Sequence, residues 1–336
     1  MFQAHKTGTR PNTGVHAFLL ASVAVAALAA PAQATYVTFD VQGASSTTPA
    51  AINSSNVVTG LASAFDGFVR AADGTITTFD VPNANGTHPV SINDDGTIAG
   101  WYFDSSYVQH GFVRTTDGTI TTFDVPHGTG GTVAVSIDAK GFITGTYTCG
   151  GTTACGYVLS PKGKYTSFEV TNSTYTSPAA INPGRTITGY SLDDNHHTHG
   201  FLRGADGTIT AFDVSGATDT NPVGVNAKGA TTGTWDNGGN PHGFVRASDG
   251  TVTSFDAPKA TFGTFPSGIN AKGAIAGSFD TEDEVFGFFR TPNGSFKKIF
   301  VKGSIGTTVS GINDTNAVTG YYLDPSYNAH GYLWTK

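Results

Sequence analysis

Three histidines each stand fourteen residues before an aspartate: His110 with Asp124, His199 with Asp213, and His242 with Asp256. A fourth, His330, sits in the same local sequence and is matched by position with Asp40. A carboxylate that orients an imidazole is the chemistry of an acid–base dyad. An active site needs one dyad, however, and here the pattern recurs with no serine or cysteine nucleophile beside any special copy. The pairs are therefore read as structural contacts across neighbouring strands, each worth about 0.2–1 kcal/mol. No catalytic residue is assigned.

Metal-ligating types gather once, between Ser191 and His199, where Asp193, Asp194, His196 and His197 could hold a divalent ion. His199 is already taken up by its pair, so a solvated polar loop is the simpler reading and no metal is assigned. Aspartate recurs where one strand meets its loop, at Asp104, Asp193, Asp236, Asp280 and Asp324. Tyr107 and Tyr327 occupy matching loops and could stack on sugars or peptides. These seven residues are the candidate ligand-binding set, against the plainer reading that aspartate starts a turn. Calcium would suit such oxygen-rich loops, but none carries an EF-hand or a glycine-rich calcium repeat, and no cofactor is assigned. Cys149 and Cys155 are six positions apart, not in a C-x-x-C motif, and read as a disulfide. There is no phosphate-cradling loop, nucleophile elbow, zinc helix or paired-carboxylate site. Gly128–Gly131 is glycine-rich, but no helix follows it.

What must position these residues is a repeat. A small residue, Ile or Val, then Asn or Asp appears seven times, as in Ser91-Ile92-Asn93, with steps of 40, 45, 44, 44, 44 and 43 residues. A glycine follows each marker, from Gly60 and Gly100 to Gly320. No helical period survives, and the runs between turn signals are four to eight residues long. In the second unit the strands read A (Val90–Asn93), B (Thr97–Phe103), C (His110–Thr115) and D (Thr119–Val125). Four antiparallel strands in 40–45 residues is the size of a propeller blade. The chain from Tyr36 to Val41 reads as a lone D strand, and His330 to Trp334 as a C strand lacking its outer partner. Joining them would close a ring and leave no bare edge.

The C–D hairpins fix the register. Pro161 and Pro292 stand in these turns where a type I′ turn would need a positive φ that proline cannot adopt. The turns should be type I, with the following glycine left-handed in a bulge. Counting outward puts each histidine opposite its aspartate and His330 opposite Asp40. Phe286 then faces Phe300, Asp66 faces Asp80, Cys155 faces Glu169, and Gly67 lies opposite Phe79.

The tetrapeptides His110-Gly111-Phe112-Val113, His199-Gly200-Phe201-Leu202, His242-Gly243-Phe244-Val245 and His330-Gly331-Tyr332-Leu333 resemble the extracellular HAF repeat family, named for a His-Ala-Phe tripeptide. Ile92 to Gly100 is similar to another part of that repeat. The resemblance spans residues 36–335, with Gly in place of Ala in every copy and no His in the first, third and sixth. It implies a secreted, β-propeller-like protein and brings no activity or catalytic residue.

Composition bounds the rest. Net charge is −7 and no basic cluster follows residue 35, which argues against a nucleic-acid partner. Lys6 and Arg10, the apolar run Ala17–Ala30 and Ala32-Gln33-Ala34 read as a bacterial export signal, residues 1–34, cleaved after Ala34. No other segment would span a membrane. The expectation is an all-β protein: one domain, residues 35–336, forming a seven-bladed β-propeller closed by its N-terminal strand. It would be a secreted or periplasmic monomer, a non-catalytic module binding carbohydrate or an extracellular protein. The rival is a polysaccharide lyase or hydrolase at the channel mouth, which needs one repeat with unique polar residues; none stands out.

Overall fold

The computed structural model describes residues 34–336 apart from residues 64 and 152. The expected export signal, except Ala34, lies outside the described residues. Every regular element among the described residues is a β-strand. β-Branched and aromatic residues fall in short runs between turn signals, a pattern that suits short strands.

The second repeat shows how the local sequence builds each unit. Its strands are β6 (Thr87–Ile92), β7 (Ile98–Phe103), β8 (Gln109–Arg114) and β9 (Ile120–Phe123), antiparallel and side by side in that order. Strand A is longer than the sequence suggested, because its pairing continues past a bulge between Pro89 and Ser91 for three residues, Thr87 to Pro89. That bulge explains the second marker glycine: a Cβ on Gly100 would lie 2.3 Å from the His88 carbonyl oxygen. The β8–β9 turn is a type I turn, with the Gly118 amide donating to the Thr115 carbonyl at 2.9 Å and Gly118 at φ 90°. The hairpins of Pro161 and Pro292 follow the same rule, with Gly163 at 77° and Gly294 at 90°.

Five such four-stranded sheets are separate: β2–β5 (residues 47–79), β6–β9 (87–123), β10–β13 (132–168), β14–β17 (175–212) and β18–β21 (219–255). The sixth sheet has eight strands. It holds β22–β25 (263–299), β26–β28 (306–335) and β1 (Thr35–Phe39). The sequence suggested separate sheets here; one parallel bridge, Val285 to Gly306, joins the two halves. Within it β1 lies antiparallel to β28 (Ala329–Thr335), from Thr35 opposite Thr335 to Phe39 opposite Gly331.

The core lies between neighbouring sheets. Phe79 covers Gly67 of its own sheet, packs edge-on against Phe112 of the next at 6.2 Å, and carries the Arg114 guanidinium 4.8 Å above its ring. The same stack recurs at Phe39, Phe168, Phe212 and Phe255. Each ring buries apolar area, and the arginine above it adds a cation–π contact of about 0.5–2 kcal/mol.

The marker asparagines tie the repeats together on the inner side. Asn53 Nδ2 donates to the Asn93 carbonyl at 3.2 Å, and Asn93 Nδ2 to the Asp138 carbonyl at 3.3 Å. Asn182, Asn226 and Asn270 continue the relay to the carbonyls of Asn226, Asn270 and Asn313 at 2.8, 3.1 and 3.0 Å. Asn313 Nδ2 then donates to the Asn53 carbonyl at 2.8 Å, from the last repeat to the first. One step is missing. Asp138 Oδ1 accepts from the Lys140 and Phe142 amides, but its Oδ2 is buried without a partner, where the other markers have a donor.

Asp138→Asn keeps the turn contacts and supplies that donor, so it should stabilise the fold by about 0.5–1.5 kcal/mol in denaturant unfolding. Asn226→Ala should cost about 1–3 kcal/mol by leaving buried groups unpaired. A neutral or destabilising Asp138→Asn would show that the relay carries no energy.

Candidate functional site

The inner strands of all seven repeats line one cavity of about 260 Å³. Its walls are small and aliphatic, with Ser91, Ser136 and Gly224 typical, and none of the lining side chains ionises. The small residue of each marker therefore faces this channel, while the asparagine two places on carries the relay. An acid or base for catalysis is absent from those walls.

The histidines lie at the outer strands, each on the loop-bearing side. His110 Nδ1 is 2.8 Å from Asp124 Oδ1, and its Nε2 is 3.5 Å from Asp104 Oδ2. His199 lies between Asp213 and Asp193 at 3.0 and 3.6 Å, and His330 between Asp40 and Asp324 at 2.8 and 3.4 Å. His242 meets Asp256 at 2.8 Å. In the three double clamps each ring lies between two carboxylates, with Nδ1 hydrogen-bonded to one and Nε2 facing the other at 3.4–3.6 Å.

The clamps also account for the loop aspartates. Asp104 Oδ1 accepts the Ser106 and Val108 amides, both at 2.8 Å, closing its loop while Oδ2 faces the histidine. Asp193 does the same with Asn195 and His197, and Asp324 with Ser326 and Asn328. Bonds from Asn328, side chain then amide, hold the Asp324 carboxyl at about 2. Asp236 accepts one amide, from Gly238. Asp280 makes no such bond, and burial raises its carboxyl. The plainer sequence reading, that aspartate starts a turn, fits Asp104, Asp193, Asp236 and Asp324. In each of these four, Oδ1 is engaged by loop amides, two for Asp104, Asp193 and Asp324 and one for Asp236.

Asp193, Asp194, His196 and His197 do not converge: among the described residues only Cys149, Cys155 and Glu169 bring three such ligand atoms together. Those two sulfurs are spent in the Cys149–Cys155 disulfide. That bond joins β11 (Ile143–Gly150) to β12 (Thr153–Leu159), with Cys155 standing where other repeats have the clamp histidine. In the sixth repeat Phe286 and Phe300 pack there with centroids 5.1 Å apart and planes tilted by 60°, and Lys298 Nζ lies 3.9 Å from the Phe286 centroid. Phe286, with Phe279, Phe288, Phe296 and three lysines, lines a cleft of about 310 Å³.

The feature that sequence reading missed is an aromatic ledge on the second repeat. His88 lies flat on Trp101, with centroids 3.9 Å apart and 7° between planes. Phe103 meets Trp101 edge-on at 5.0 Å, and Tyr107 follows at 6.1 Å. Burial lowers the His88 pKa, favouring a neutral ring. Tyr107 is 72% exposed and held at φ 60°, a conformation that bulky residues rarely adopt. Phe65, 61% exposed, borders the ledge from the first repeat: a Cβ on Gly86 would lie 3.2 Å from Phe65 and 3.4 Å from His88. Trp101-Tyr102-Phe103 is the only run of three aromatic residues in the chain, and that was the signal available. Tyr327, 77% exposed at φ 65°, takes the same loop position in the seventh repeat, but without a tryptophan behind it.

The clamps should report pH. Bonding to Asp213 raises the His199 pKa above its ordinary 6.5, and for His330 burial opposes the rise but Asp40 and Asp324 outweigh it. A raised native value means the stabilisation is full below about 6.5 and fades as pH climbs through the native pKa. The melting-temperature advantage of wild type over His330→Gln should therefore shrink between about pH 5.5 and about pH 8.5. A gap constant across that range would rule out ionic clamping.

No protein-family model matches the chain, and no curated protein does. Among solved structures, a streptogramin B lyase is 16% identical at TM-score 0.62, covering 89% of this chain and 97% of the other. Virginiamycin B lyase from Staphylococcus aureus is 17% identical at TM-score 0.61, over 90% and 100%. The β-propeller domain of the Trilobed protease from Pyrococcus furiosus is 10% identical at TM-score 0.61, over 87% and 95%. At these identities the likeness is one of fold: the chain is an all-β propeller.

Proposed function

We propose that the chain forms seven four-stranded blades, closed into a ring by β1, and acts outside the cytoplasm as a non-catalytic module that binds carbohydrate on the ledge of the second blade. Its repeats resemble those of the HAF-type extracellular proteins, which supports that reading. The observation that carries the reading is the ledge itself. Flat, uncharged rings present both an apolar face and polar edges, which suits sugars, and loops on a rigid scaffold are where binding residues concentrate. Tyr107 held out at a strained φ fits a ligand-facing position. The disulfide fits an oxidising compartment. A histidine–aspartate pair repeated in several repeats and a channel wall without ionising groups favour binding over the lyase or hydrolase reading.

Trp101 is also a reporter, since sugar stacking beside it should change its fluorescence. On a glycan array, wild type should bind a restricted set of neutral glycans. Trp101→Ala and Tyr107→Ala should each weaken that binding about tenfold, roughly 1.4 kcal/mol. Lys162→Ala, on the other face, should leave it unchanged. Undiminished glycan binding by a Trp101→Ala/Tyr107→Ala double variant would sink the reading.

A further inference from the structure

The chain is acidic, and its sequence shows no basic cluster after residue 35, yet the fold assembles a cleft with two arginines and a lysine. It lies between the third and fourth repeats and encloses about 170 Å³. Lys164, Arg185 and Arg203 line it, with Ser160, Thr166 and Phe142. These residues come from A–B and C–D turns and the adjoining strand ends. Turns of that kind sit on the face opposite the B–C and D–A loops, so the cleft is independent of the ledge.

Two of the cations are departures from the repeat. Where the hairpins of other repeats have Thr75, Thr119, Thr208 or Thr251, the third has Lys164. The neighbouring turn residue is Asp73, Asp117, Asp206 or Asp249 elsewhere and Lys162 here, so an acid has become a base. In the A–B turns the left-handed position belongs to Gly96, Gly141, Gly229 and Gly273 or to Asn56 and Asn316, but in the fourth repeat to Arg185, at φ 62°. A long side chain in that conformation is strained, and strain of this kind clusters at ligand clamps. The Arg185 guanidinium reaches back over Phe142 of the third repeat, 5.3 Å from its centroid.

The third cation, Arg203, belongs to the repeated stack over Phe168 and is buried. Only here does a second arginine come up beside it. Burial, with Arg185 repulsion against the pull of Asp206, lowers its pKa. Asp206, whose carboxylate accepts the Thr208 amide and hydroxyl at 3.0 Å each, offsets one of the three cations and leaves the cluster net positive. Asp138, behind Phe142, turns its one partnered oxygen to the amides of Lys140 and Phe142. Like charges brought together beside two hydroxyls are what an anion site requires.

We propose that this cleft binds a compact oxyanion, a phosphate, sulfate or carboxylate group, through Lys164, Arg185 and Arg203. Arg185 and Arg203 supply planar forks that can each hold two oxygens, Lys164 a point charge, and the hydroxyls of Ser160 and Thr166 the remaining donors.

The test uses substitutions that restore what other repeats carry, so the fold is kept. Wild type and an Arg185→Gly/Lys164→Thr double variant are titrated calorimetrically with inorganic phosphate and with sulfate, chloride balancing the ionic strength. Their melting temperatures without either ion check folding. Wild type should bind and the double variant should bind about tenfold or more weakly. A sulfated oligosaccharide run beside its desulfated form separates the sources: tighter binding than inorganic sulfate marks a group carried on a glycan, and equal binding marks the free ion. No binding by wild type, or equal binding by both proteins, overturns the proposal.

Discussion

A carboxamide that donates sideways to the next repeat's backbone is the contact on which the molecule turns. Its carbonyl oxygen closes its own A–B turn, and its Nδ2 reaches the neighbouring repeat, so one buried side chain fixes both local geometry and spacing. Aspartate can perform the first task but not the second, and Asp138 shows the difference with its unpartnered Oδ2. Because each asparagine is buried, the cost of an unmade bond is high, and neighbouring repeats are held together at this contact. The Phe–Phe–Arg stacks then fill the space that this spacing leaves between sheets.

With the scaffold held this way, one outer position accepts different chemistry without changing the fold. Histidine between two aspartates, a disulfide, and a phenylalanine pair under a lysine all fasten the same edge. In the first repeat Asp66 and Asp80 meet there, and burial, then the neighbouring carboxylate, raises Asp80. Interchangeable fasteners signal a structural position. Function is better sought where a single repeat departs from the others, as the ledge of the second repeat and the basic cleft of the third and fourth both do.

Much of the scaffold was legible in the chain. The period and the prolines of the C–D hairpins set turn type and register, and the same count that put His110 across from Asp124 matches side chains 2.8 Å apart. Strand A was read short because a bulge shifts its pairing, and nothing in a period-two pattern announces a bulge. The candidate site was less legible. Tyr107 was picked for its loop position, but His88 and Phe65 reach the ledge from other strands and loops. The second role of Asp104, Asp193 and Asp324, facing a histidine, depends on loop curvature. Lys164 and Arg185 are far enough apart in sequence that no basic run appears, and only packing of two sheets brings them to one cleft.

Closure is the central claim, and the register of β1 against β28 offers the most direct test. Thr35 and Thr335 pair across that edge, with hydroxyl oxygens 2.6 Å apart. A Thr35→Cys/Thr335→Cys variant, oxidised gently as a monomer, can be mapped under non-reducing conditions. A closed ring predicts an intramolecular cystine between those positions and a higher melting temperature than the reduced form. Free thiols after oxidation, or only dimers linked between chains, would contradict it.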